Sequence, residues 1–288
     1  MAQDINKKKK KIVSFNSILG IPYYVLIIVF VFIPLLIMIL YAFTKADSSI
    51  FNIKFTFANF EKFFKTRAYV NSLFESIWIA LLSTIVSLAI SYPLAYIITK
   101  LKKKTQTILV LLITANMWIN SLILIHALKN VFLIAGTLIV GNDASFIEKA
   151  IFLGHDYSLV VGTVFLYFPY MFLPIYTQMT KIDNNLLEGA EDLGANKLQI
   201  VSKVVFPLTL SSIISSCLIV LLPATTTLVV SEIMAYGQRP MIGNLIERQV
   251  SRFGEMAAYA MILGTILLLI VLVIKRFDKY EEVLANEK

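Results

Sequence analysis

The chain has 288 residues, of which 58% are hydrophobic and 15% charged. A soluble globular domain carries about 25% charged residues, so a soluble fold is excluded and a polytopic membrane protein is expected. The net charge of +8 does not point to nucleic acid, because the lysines cluster beside apolar runs.

The N-terminal region carries a basic run, Lys7 to Lys11, followed by an uncharged stretch from Ile12 to Phe43. A secretory signal has an apolar core of roughly 7–15 residues and a small-residue cleavage site. This stretch is longer and offers no such site, so it reads as a retained anchor. Residues 1–20 form a basic segment ending at the interface, and the span starts near Pro22.

About 20 apolar residues cross the hydrocarbon of a bilayer. Six stretches reach that length, at 21–43, 73–99, 107–128, 157–180, 204–230 and 256–274. The fold class is therefore all-α, with six transmembrane helices. Residues 131–140 are also apolar but too short to span, and they read as a re-entrant or surface helix.

Six spans put both chain ends on one side. With the N-terminus inside, the inside segments 1–20, 100–106, 181–203 and 275–288 hold the larger share of the 26 Lys and Arg in fewer residues. The positive-inside rule then favours an N-in, C-in orientation. Residues 21–274 are read as one transmembrane domain with a cytoplasmic loop at 181–203 and a cytoplasmic tail at 275–288. Pro22, Pro34, Pro93, Pro169, Pro174, Pro207 and Pro223 fall in or beside the spans, where neighbours can satisfy the carbonyls they free.

The loop 181–203 does not look like a membrane element. Asn185 and Glu188 have capping-box spacing, which predicts a helix start. Leu186, Leu187, Ala190 and Leu193 then form one apolar stripe. Glu188, Glu191 and Asp192 lie elsewhere, and Gly194 stands where a left-handed C-terminal cap would sit. A helix lying on lipid usually carries Lys and Arg on its polar face. This one carries acids and no base between Asn184 and Asn196. The pattern fits a groove on another protein.

The stretch "EGAEDLGANKLQIVSKVVFP" resembles the cytoplasmic signature loop of ABC-importer permeases, through Glu188, Gly189, Ala190, Gly194, Val204, Phe206 and Pro207. Gly189 departs from the usual alanine. "SYPLAYIITKLKKK", "MWINSLILIHALK" and "MIGNLIERQV" look like permeases of spermidine/putrescine importers. The resemblance implies a type I importer permease fold in the cell membrane. It implies that Leu186, Leu187, Glu188, Gly189, Ala190, Asp192, Leu193, Gly194 and Pro207 couple the chain to a cytoplasmic ATPase. The implied partners are a second permease, two copies of the ATPase and an extracytoplasmic binding protein.

No G-x-x-x-x-G-K-[ST] loop occurs in the chain, so it carries no ATPase motif of its own. ATP and Mg would be bound by partner subunits, leaving no cofactor, catalytic residue or metal ligand expected here. Ionisable groups at membrane depth are functional candidates, which singles out Glu232 and Glu75. Ser231 with Glu232 matches a Ser-acid pair in the resembling polyamine permeases. Asn120, Ser121, Tyr167 and Tyr170 are the other pathway candidates; interhelical hydrogen bonding is the first reading of Asn120 and Ser121, and core packing that of the two tyrosines. Other solutes of the wider family, such as sugar, sulfate, iron or thiamine, and an ion-gradient-driven secondary transporter are the alternatives.

Overall fold

The computed structural model describes residues 22–45, 54–141, 150–249 and 252–286, with backbone only from 277 onward. The basic segment expected at 1–20 lies outside the described residues. Among the described residues, six helices are long and apolar enough to cross a membrane. They are α1 (Pro22–Ala42), α3 (Arg67–Thr99), α5 (Ser121–Val140), α6 (Asp156–Met179), α8 (Lys197–Thr226) and the first part of α11, Phe253–Arg276. Shorter helices are α2 (Ala58–Lys65), α4 (Lys103–Ala115), α7 (Asn184–Asp192), α9 (Val229–Met234) and α10 (Ile242–Glu247).

The bundle is built on α3, α6 and α8, which pack pairwise against one another. Lipid is as apolar as leucine, so close approach of backbones rather than hydrophobic transfer drives such packing. The buried residues of α3 are accordingly mostly small, namely Ser72, Ser76, Ala80, Ser83, Thr84, Ser87, Ser91 and Ala95, with Leu73, Ile79 and Ile98 the larger ones. On α6, Gly162 would place a Cβ 3.0 Å from Val230 of α9. Ser76 and Thr84 return their hydroxyl protons to carbonyls one turn back. Ser83, Ser87 and Ser91 have no hydroxyl partner among the described residues. The sixth span packs on α1, whose remaining surface is exposed and apolar.

The two ends of the bundle differ. At the basic end, the 100–106 loop, the end of α6 and the start of α8 meet around a pocket of about 240 Å³ that includes Thr99, Lys103, Met179 and Val205. Buried Gln106 ties this end together: its amide Nε2 donates to the Thr99 and Leu101 carbonyls, and its Oε1 accepts from the Tyr176 hydroxyl. At the far end, Asn59 of α2 donates to the Ala42 and Thr44 carbonyls, and Lys62 pairs with Glu255 at 2.7 Å. The loops at 100–106 and 181–203 thus share one end, as six alternating spans require.

Two spans differ from the sequence expectation. Residues 107–128 are not one helix. They are broken by a 3₁₀ turn at Asn116–Trp118 and by extended backbone at Ile119 and Asn120. Residues 131–140, expected to be re-entrant or on the surface, are the second half of α5. A hydropathy window cannot register this break, because Met117, Trp118 and Ile119 keep it apolar. The 13 residues of α4 rise about 20 Å and cannot cross alone. The fifth span breaks as well: α8 ends at Thr226, and Thr227 is extended before α9 begins.

Gly243 of α10 lies so close to α8 that a Cβ would stand 2.6 Å from the Thr226 carbonyl oxygen. Gly243→Ala should destabilise the protein by about 1–3 kcal/mol through overpacking. Gly162→Ala should cost less, because it meets side chains of Val230 and Met234 that can shift. Thermal unfolding of the detergent-solubilised variants checks the order.

Candidate functional site

The two helix breaks face each other. Between them lies a cavity of about 380 Å³, lined by Asn116, Met117, Ile119 and Ser121 on one side, Leu166, Tyr167 and Tyr170 on α6, and Pro223 and residues 226–229 on the third side. The lining carries no charged residue. Each break is held by side chains that replace missing backbone bonds. Asn116 Nδ2 donates to the Phe165 carbonyl at 2.8 Å. Asn120 Oδ1 caps α5 by accepting from Leu122 N at 2.9 Å. Buried Asn244 donates to the Leu228 carbonyl at 3.2 Å.

Of the six pathway candidates read from the sequence, and Ser231 beside them, Ser121, Tyr167 and Tyr170 line this cavity. The Tyr167 and Tyr170 rings are 6.2 Å apart, and the Tyr167 hydroxyl donates to the Pro223 carbonyl at 3.4 Å. Asn120 is committed to its cap. Glu232 is one turn further out and does not line the cavity. Its Oε1 accepts from Arg248 Nη2 and Asn244 Nδ2, each at 3.2 Å. Gly237, at φ +64, lets the loop pass so close that a Cβ there would stand 2.8 Å from Glu232 Oε2. Ser231 is buried and donates to the Arg239 carbonyl at 2.7 Å. Glu75 is exposed on α3 beside exposed Phe74 and Trp78 and does not line the cavity. Sequence reasoning missed Asn116, Thr226 and Thr227. Asparagine two residues before Trp118, in an apolar run, was the available signal.

The second candidate surface is at the basic end. The N-cap of α7 is Asp183, whose Oδ1 accepts from Asn185 N at 3.0 Å. Asn185, expected to cap, is therefore inside the helix, because Asp183 offers the same acceptor two residues earlier. The C-terminal expectation holds. Gly194 has φ +83. Its N–H reaches the Glu191 carbonyl, and Ala195 N reaches the Ala190 carbonyl at 3.0 Å, which together close the helix. Asn196 and Gln199 then form a capping box that starts α8.

The apolar stripe of α7 is divided. Leu187 and Ala190 pack inward against the core that contains Met179, Ile200 and Val205. Leu193 is 91% exposed, and Leu186 and Leu198 are exposed beside it. Glu188, Gly189, Asp192 and Gly194 are exposed too. Pro207 lies near the start of the α-helical part of α8, after a π turn at Val201–Val205. Among the described residues, no three His, Cys, Asp or Glu side chains are grouped to hold a metal ion.

Residues 91–280 match the family described as the binding-protein-dependent transport system inner membrane component. A spermidine/putrescine transport system permease protein, PotB, of Haemophilus influenzae is 33% identical over 264 residues, covering 88% of this chain and 90% of that protein. Its counterpart in Escherichia coli K12 is 34% identical, over 77% and 82%. In fold, the chain is similar to one from a bacterial ABC transporter involved in import of the acidic polysaccharide alginate. The TM-score is 0.74 at 16% identity, covering 91% of this chain and 94% of that one. A chain of the inward-facing MetNI methionine ABC transporter gives a TM-score of 0.52 at 18% identity, over 74% and 94%.

Gly189 has open space where a Cβ would stand, and it lies within α7. Alanine is favoured over glycine in a helix by about 1 kcal/mol. Gly189→Ala should slow amide hydrogen exchange across residues 184–192 by roughly fivefold, measured by mass spectrometry on the purified protein.

Proposed function

Because this chain belongs to the family of binding-protein-dependent transport system inner membrane components, we propose that it is the permease of an ATP-driven importer of polyamines such as spermidine and putrescine. The observation that carries the cargo class is the identity of 33–34% to spermidine/putrescine permeases over most of the chain. The two Tyr rings in the cavity are compatible with it, since a cation is attracted to an aromatic face. A neutral solute is the second reading, favoured by the uncharged cavity lining.

In this reading the chain supplies half of a translocation pathway. A second permease supplies the other half, an extracytoplasmic binding protein delivers cargo, and two ATPase subunits bind ATP and Mg and perform the hydrolysis. The chain lies N-in and C-in, as its lysine distribution supports. The loop at 181–203 is then cytoplasmic. Exposed Leu186, Leu193 and Leu198, flanked by Glu188, Glu191 and Asp192, dock in the ATPase groove, while Leu187 and Ala190 join the helix to the rest of the permease. Glu232 holds the outer end of the pathway together through Arg248 and Asn244.

Two measurements test this. The complex reconstituted in vesicles should accumulate radiolabelled spermidine when ATP is supplied, with no ion gradient. Uptake that needs a gradient instead would refute the importer class, and transport of a sugar but not spermidine would refute the cargo. In the same assay Leu193→Glu should lower uptake at least tenfold and release ATPase subunits on purification. The chain itself should still insert, since this side chain touches little of its own protein. Retained ATPase subunits and full transport would remove the docking role.

Orientation is tested with single cysteines at Lys103 and Gln238 in a Cys217→Ser background. A membrane-impermeant thiol reagent added to intact cells should label only the Gln238 site. Labelling of Lys103 alone would reverse the orientation.

A further inference from the structure

We propose that the pocket at the basic end binds the phosphate group of an anionic phospholipid, which ties α7 to the 100–106 loop. This site is independent of the cargo. The pocket, about 240 Å³, lies where α3 and α6 end and α4 and α7 begin. Two spans stop there, which places it at headgroup depth. Lys100 and Lys103 both line it. Lys100 Nζ stands 5.4 Å from the centroid of the Tyr96 ring, itself part of the wall, and this contact keeps the ammonium at the pocket. None of the described lining residues is acidic. Asp183, next in the chain to the lining residue Asn184, turns its two carboxylate oxygens to Asn185.

The helix that starts at the pocket adds to the same charge. α4 has no side-chain cap and no acid in its first turn; its N-cap is Lys102, and Lys103 and Lys104 follow. A helix N-terminus is already partly positive, so cations there are unfavourable without an anion beside them. A phosphate group answers both, because its oxygens accept from ammonium groups and from amide N–H groups. Exposed Asn184 offers further donors from the α7 side. Leu101 and Ile182 also line the pocket and suit the glycerol and the start of an acyl chain. Basic pockets between membrane helices take lipid headgroups in this way. Free phosphate would meet the same charges, but the depth of the pocket and its partly apolar wall match a ligand that arrives from the bilayer. Such an occupant touches Lys100 and Lys103 on one side and Asn184 and Leu187 of α7 on the other.

The test titrates phosphatidylglycerol into the detergent-solubilised complex and follows its thermal unfolding. Phosphatidylglycerol should raise the unfolding temperature saturably, whereas phosphatidylcholine and inorganic phosphate at the same concentrations should not. Lys100→Gln with Lys103→Gln should raise the half-saturating lipid concentration about thirtyfold, roughly fivefold for each lysine. Lys197→Gln with Lys203→Gln removes the same charge outside the lining and should change it less than about twofold at physiological salt. No stabilisation by phosphatidylglycerol, or equal stabilisation by phosphatidylcholine, would overturn the proposal. Equal stabilisation by inorganic phosphate would overturn the lipid as the source of the phosphate. An unchanged titration in the pocket variant, or an equal weakening in the control, would show that general surface charge is responsible and would overturn the pocket. A second measurement needs no variant. Phosphatidylglycerol with a photoreactive headgroup, added to the unmutated complex, should label residues 96–106 and 180–187, and labelling of this chain confined to other segments would overturn the proposal.

Discussion

A chain inside hydrocarbon has no water to satisfy its peptide groups, and this constraint organises the whole molecule. Unbroken helices meet it internally, and irregular backbone at membrane depth is tolerated only where protein or a cavity surrounds it. Here two spans are irregular, at 116–120 and 227–228, and both irregularities border the same cavity. Asparagines stabilise both: Asn116 on Phe165 and Asn120 on Leu122 at the first, and Asn244 on Leu228 at the second. The breaks expose polar groups toward one space, and that space is what the fold builds. Everything else in the bundle is ordinary close packing of α3, α6 and α8 along a seam of small side chains.

One helix connects the two candidate sites. From its capping box at Asn196, α8 runs about 45 Å to the cavity at Thr226, given 1.5 Å per residue. At its start, Gly194 and Ala195 close α7 against it, so α7 and α8 meet through a short hydrogen-bonded joint, residues 193–196, rather than a slack loop. Leu187 and Ala190 pack α7 onto the α6–α8 core. Packed elements thus join the helix that bears the exposed leucines to the cavity wall. The π turn at Val201–Val205 is the one departure from regular helix on the way, a place where the rod can bend without losing its hydrogen bonds.

At the far end, ion pairs do the positioning. Lys62 and Arg252 hold Glu255, Arg239 pairs with Asp156, and Arg248 with Glu232. Half-exposed pairs of this kind contribute roughly 0–1 kcal/mol each. Their effect is mainly geometric: they tie the segments at that end to one another.

The sequence alone determined the class and the number of spans, and it marked the helix in the 181–203 loop. Length and hydropathy suffice for spans because the bilayer sets one length for all of them. Gly194 announced its own left-handed turn because few other residues tolerate it. The lysine cluster at 100–104 and the 181–203 loop were legible as sharing one side because two spans separate them. The tertiary structure alone decided where the spans break, since Asn116 and Asn120 look like ordinary hydrogen-bonding residues until Phe165 and the start of α5 are brought beside them. It also decided which leucines of α7 face outward: spacing places Leu186, Leu187 and Leu193 near one stripe, but packing against α6 and α8 takes Leu187 and leaves the others free. Glu232 shows the same limit most plainly. A carboxylate at the end of a span reads as a free charge in sequence, and only the folding back of residues 237–248 supplies Asn244 and Arg248 as its partners, because those contacts join segments that local pattern does not relate.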